Sequence, residues 1–150
     1  MGTVQTVRIT VLPTPDVTAP TDITCCNGAS TTAITFSGNV TNTIFKWTNS
    51  NTNIGLAASG KGNIASFTST NSSTSTISAT ISVTPYTVGP NGIDDNGSGD
   101  DCVGTAQTFT ITVLPTPDVT APTDATYCNG ASTTAITFSG NVTGLSLIHI

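Results

Sequence analysis

"TISATISVT", Thr76–Thr84, alternates without a break: Ile77, Ala79, Ile81 and Val83 fall on one side, with Ser or Thr at every position between them. A period of two sends successive side chains to opposite faces of an extended chain, so the stretch predicts a strand with one buried and one wet face. "TAQTFTITVLP", Thr105–Pro115, repeats the pattern with Phe109, Ile111 and Val113 together. Thr32–Ser37 pairs Ile34 with Phe36, and Thr43–Thr48 sets Phe45 and Trp47 opposite Ile44 and Lys46. Val17–Thr24 is expected to be the first strand, broken by Pro20, weaker strand signals lie at Ile54–Ala58 and Ile64–Thr68, and "CCNGAS" (Cys25–Ser30) reads as a turn, since Asn-Gly supplies positive φ. About seven short strands separated by turn signals describe an all-β, two-sheet sandwich. Its expected core is Phe36, Trp47, Ile77, Ile81, Phe109 and Ile111. An exposed Trp47 would instead make a sugar platform, but a single Trp on an alternating strand is better placed between the sheets.

Composition agrees. The chain contains no Glu, and its cations are Arg8, Lys46 and Lys61 alone. Most strong helix formers are therefore scarce, whereas Thr, Val and Ile suit a pleated, half-buried surface. Three cations and a net charge of −5 exclude an extensive phosphate-binding surface, and so nucleic acid as a partner. Membrane insertion is not expected, because the sequence has no run of roughly 20 apolar residues.

The chain repeats itself. Displaced by 102 positions, Gly2–Asn42 lies on Gly104–Gly144 with 35 of 41 residues identical. The differences are Val4/Ala106, Val7/Phe109, Arg8/Thr110, Ile23/Ala125, Cys25/Tyr127 and Asn42/Gly144. A period near 100 residues suits one sandwich domain per repeat. Pro13 and Pro15, like Pro115 and Pro117, remove backbone donors and stiffen the chain, so "LPTPDV" reads as a semi-rigid linker. On this phase residues 2–13 are the last strand of an upstream repeat, 14–115 a complete repeat and 116–144 the start of a downstream one. The final "LSLIHI", residues 145–150, breaks the repeat. It resembles the in-frame translation of a transposase end used in preparing sequencing libraries, and is expected to be an adapter artefact rather than a last strand.

Four cysteines are present, at 25, 26, 102 and 128. Cys26 and Cys128 are equivalent, while Cys25 is replaced by Tyr127 in the second copy. One disulfide per repeat is expected, Cys26–Cys102. It would stabilise the unit by about 4 kcal/mol in the chain-entropy picture and imply an oxidising, extracellular setting. Cys25 as the alternative partner of Cys102 stays open. "NGIDDNGSGDDC", Asn91–Cys102, carries half of all the carboxylates in the chain. Asp94, Asp95, Asn96, Asp100 and Asp101 are candidate calcium ligands, oxygen-rich and interrupted by Gly. No Glu closes the loop as an EF-hand requires, so a solvated turn is the preferred reading and calcium the rival. No other cofactor is expected. Ser and Thr abound, but no Glu exists to activate a nucleophile, and the one His, His149, lies in the terminal six residues. The sequons at Asn39, Asn71 and Asn141 are expected by chance in a chain so rich in Asn and Thr.

"CNGASTTAITFSGNVTNTIFKWTNSNTNIGLAASGKGNIASFTSTN" (Cys26–Asn71) and "GTAQTFTITVLPTPDV" (Gly104–Val119) resemble the PKD-like, immunoglobulin-like repeats of large secreted bacterial surface proteins. The resemblance implies a β-sandwich used in tandem as stalk, adhesin or matrix component, with no catalytic residues to carry over. A non-enzymatic spacer or presenter of other domains at the cell surface is therefore the expected function. Its expected partners are neighbouring repeats in the chain, and surface glycans or proteins. The alternatives are a carbohydrate- or surface-binding module of a secreted enzyme, and an adhesin repeat stiffened by calcium.

Overall fold

The computed structural model describes residues 2–144. The expected adapter-derived segment 145–150, with His149, lies outside the described residues. The chain is nearly all β. Its strands are β1 (Ile23–Cys26), β2 (Ile44–Asn49), β3 (Ser59–Lys61), β4 (Ile77–Thr87), β5 (Cys102–Val103), β6 (Gln107–Leu114), β7 (Val119–Thr120) and β8 (Ser139–Gly140). The first six form one mixed sheet in the order β1-β6-β4-β2-β3, with β5 beside the far end of β4. All its pairings are antiparallel except β1 with β6, which run parallel from Ile23↔Ile111 to Cys26↔Leu114.

Alternation decides which face is covered. Ala79, Ile81 and Val83 of β4, Phe109, Ile111 and Val113 of β6, and Phe45 and Trp47 of β2 are all buried. The Ser and Thr residues between them populate the other face, where Ser78 Oγ and Thr112 Oγ1 lie 3.2 Å apart. The buried face packs against a second, irregular layer that contributes Val17, Ile34, Phe36, Ile54, Leu56 and Ile64. Phe36 sits at the junction, 5.7 Å from the Phe45 ring and 6.4 Å from that of Phe109. Ile77, at the end of β4, is only partly buried against this cluster.

The second layer departs from the expected strands. Thr32–Ser37 and Ile64–Thr68 hold only isolated bridges, Ile34↔Ile64 and, at their margins, Thr18↔Ser37 and Ser30↔Thr68. Their apolar residues still face inward, but side chains take bonds a ladder would have made. Phe36 N–H donates to Asn63 Oδ1, and Thr31 Oγ1 accepts from Phe67 N–H while donating to Phe67 O. Short polar side chains compete with the sheet in this way, and they are abundant here. Ile54–Ala58 is no strand either. Asn51 caps a 3-10 turn over Thr52–Ile54, which Gly55 ends at φ 91°, a left-handed conformation that glycine adopts without a Cβ penalty. The turn expected at Cys25 begins instead at Asn27, because both cysteines belong to β1. β4 outruns its expected end to Thr87. Pro85, which lacks an N–H, sits where β6 stops pairing at Val83↔Gln107 and β5 takes over at Tyr86↔Val103.

Equivalent residues in the repeated segments have different surroundings. Phe109, Ile111 and Val113 are 3%, 0% and 0% exposed, whereas their counterparts Val7, Ile9 and Val11 are 87%, 85% and 87% exposed. Ile34 and Phe36 are buried, and their counterparts Ile136 and Phe138 are 61% and 49% exposed. Local pairings recur nonetheless. The bridge Thr18↔Ser37 returns as Thr120↔Ser139, and the bond from Ala29 N to Cys26 O returns as Ala131 N to Cys128 O.

Candidate functional site

The acidic loop between β4 and β5 is the most organised polar feature of the molecule. Asp101 builds it from within. Its Oδ1 accepts from Gly89 N–H at 2.9 Å, and its Oδ2 accepts from Asp95 and Gly97 N–H at 3.1 and 3.0 Å. Asp100 Oδ2 accepts from Asn91 N–H, and Asn91 Oδ1 accepts from Ile93 N–H. Asn96 and Gly97 both take positive φ, 60° and 77°, which folds the loop back on itself. Carboxylate oxygens of Asp95, Asp100 and Asp101 thereby lie within 4.8 Å of one another.

The expected ligand set does not converge as a whole. Asp94 turns away and serves as an anchor, with Oδ2 2.9 Å from Lys61 Nζ and Oδ1 2.9 Å from Tyr86 Oη. Lys61 also lies 5.9 Å above the Tyr86 ring. The lysine beside it, together with the Asn96 N–H and the Tyr86 hydroxyl, lowers the Asp94 carboxyl from 3.8 to about 2, while the same ion pair raises Lys61. Burial, and then the bond to Asp94, raises the Tyr86 phenol. Asn96 contributes its backbone to Asp94. Lys61 and Tyr86 had no signal in the sequence beyond being a scarce cation and one of two tyrosines, since 25 residues of chain separate two groups that only the sheet brings together.

The thiols contradict the expected disulfide. All four cysteines are free. Cys26 pairs with Leu114 at one end of the sheet, near Ile77↔Val113, whereas Cys102 pairs with Thr87 at the other end of β4. Ten residues of strand separate those ends, about 30 Å at about 3.3 Å per residue. A disulfide needs Cα atoms within about 7 Å. Equivalence within the repeat carries no information about which end of a strand a residue occupies. Cys25 faces inward, where its thiol lies 3.7 Å from Thr112 O and packs against the core.

Trp47 is 6% exposed, with its ring over Gly60, where any Cβ would collide with it. It offers no platform to a ligand. The sequon asparagine Asn71 is also committed inward: its amide donates to Ser75 O and Val113 O, and it is 2% exposed. Among the described residues no helix is long and apolar enough to cross a membrane. No protein-family profile, curated protein or solved structure matches the chain.

Proposed function

We propose that residues 14–115 are one immunoglobulin-like, PKD-like unit of a tandem array, a non-enzymatic spacer or presenter in a secreted or cell-surface bacterial protein. One observation carries the reading. Segments nearly identical in sequence bury their apolar faces within 14–115 and expose them in 2–13 and 116–144. Those faces have the composition and alternation of a core without the facing strands, which is what parts of neighbouring units would present. The parallel pairing of first and last strands supports the immunoglobulin-like assignment, because it brings the two linkers to opposite ends of the sheet and suits end-to-end repetition.

Extending the chain after Gly144 with a copy of residues 43–115 completes the downstream unit and tests the reading. The amides of Ile136 and Phe138 are expected to become protected from hydrogen exchange to the level of Ile34 and Phe36. Unchanged, rapid exchange at these positions would refute the tandem reading. Selective binding on a glycan array would favour the carbohydrate-binding module.

Calcium stiffening is retained as a second reading, narrowed to Asp95, Asp100 and Asp101. Three clustered carboxylates repel one another unless a cation lies among them. Millimolar calcium is expected to raise the melting temperature of the chain but not that of its Asp100→Asn variant. Equal curves with and without the ion would dispose of it.

A further inference from the structure

Cys26, which recurs as Cys128, and Cys102 sit at opposite ends of the sheet, each beside a linker. Cys26 is exposed and pairs with Leu114, immediately before Pro115. Cys102 pairs with Thr87, and two residues later Gly104 lies so close to the Pro15 carbonyl that any Cβ would collide with it. What meets Cys102 across that upstream linker is partly visible in this chain. Leu12, the counterpart of Leu114, lines a single pocket with Val40, Ile44, Thr87 and Val88. The register partner of Leu114 is Cys26, so the register partner of Leu12 in a preceding unit is that unit's counterpart of Cys26. Side chains of directly paired residues share a face of the sheet, about 5 Å apart. That thiol therefore lies on the same face as Leu12, which borders the same pocket as Thr87, the register partner of Cys102. Thr87 Oγ1 is itself buried without a hydrogen-bond partner.

We propose that the disulfide of this protein forms between units rather than within one, joining Cys26 to the counterpart of Cys102 in the next unit across the proline linker. The inference rests on the tandem reading above. Each bond requires two thiols to lose two protons and two electrons, and a small-molecule disulfide such as oxidised glutathione accepts them. The Cys26 thiolate attacks it and releases one reduced thiol. The second cysteine's thiolate then attacks the Cys26 sulfur of the mixed disulfide and releases the other. With a proline linker and a covalent bond side by side at every junction, neighbouring units lose the freedom to swing, and the array becomes a rod.

The chain extended after Gly144 with residues 43–115, oxidised with glutathione disulfide and digested, is expected to yield a peptide joining Cys26 to the added copy of Cys102. That peptide should vanish in the Cys26→Ser variant and persist in Cys25→Ser. If the added unit folds, shown by exchange protection at Ile136 and Phe138, yet Cys26 stays free or bonds to Cys102 of its own unit, the proposal is overturned and the tandem reading survives. If Ile136 and Phe138 remain unprotected, both fall. In the chain without extension, Leu12→Cys is expected to form an intramolecular bond to Cys102 under the same oxidation. A failure to form it would overturn the placement on which the proposal depends.

Discussion

Asn71 holds more of the structure than its polar character suggests. Its amide donates to the carbonyls of Ser75 and Val113, its Oδ1 accepts from the N–H and hydroxyl of Ser73, and its own N–H reaches Asn27 Oδ1. Removing the side chain deletes a buried donor to the Val113 carbonyl together with the bonds to Ser73 and Ser75, and a typical hydrogen bond contributes about 0.5–1.5 kcal/mol. Asn71→Ala is accordingly expected to lower unfolding free energy in urea by about 2 kcal/mol or more, since several bonds go at once. Asp94 behaves differently because it is partly exposed and screened. Its carboxyl is depressed in the folded chain, so the stabilisation from its bonds is full above the unfolded value of 3.8 and is lost as pH falls towards about 2. Melting temperature is expected to drop across that window, and Asp94→Asn should flatten this part of the profile. A sequence reader could place Asp94 in an acidic loop but not pair it with Lys61, because charge pairing across 33 residues is set by strand register.

At the level of elements, β4 was the most legible part of the chain and proved the most connected, with β2 along one edge and β6, then β5, along the other. Its two faces should respond differently to mutation. Ile81 is fully buried, pairs with Phe109 and is expected to cost about 2–5 kcal/mol as Ile81→Ala. Thr80, its exposed neighbour, should stay within about 0.5 kcal/mol as Thr80→Ala, with chemical denaturation reading both. The elements misread from sequence share one property. Thr32–Ser37, Ile54–Ala58 and Ile64–Thr68 are rich in Asn, Ser, Thr or Gly, or adjoin such residues, and their backbone bonds go to side chains and turns. In Thr32–Ser37 periodicity still placed Ile34 and Phe36 on the buried side, because burial follows the apolar pattern even where a ladder fails to form.

Across the whole molecule, stability is expected to be unevenly distributed. Amides of β4 and β6 lie in the centre of the sheet and should exchange only on global unfolding, while those of residues 3–11 and 123–138, with few backbone bonds and exposed apolar side chains, should exchange within seconds to minutes at neutral pH. Hydrogen exchange followed by mass spectrometry on the intact chain checks this directly. Protection of residues 3–11 equal to that of β6 would mean that the segment has found a partner strand. The same unevenness explains why the short β7–β8 pairing recurs while the apolar residues beside it stay exposed. Contacts local in sequence form from the segment alone, whereas burying Ile136 and Phe138 needs the counterparts of β2, β4 and β6.

Period-two alternation was enough to establish a β-rich chain with one wet face and to pick out buried residues such as Trp47, Ile81 and Ile111, because these depend on the order of side chains along each strand. Tertiary structure alone decided the parallel union of β1 with β6, the Lys61–Asp94–Tyr86 anchor, the convergence of Asp95, Asp100 and Asp101 and the separation of Cys26 from Cys102. Each of these is a relation between residues distant in the chain, and strand register, which no local pattern encodes, determines how far apart they come to lie.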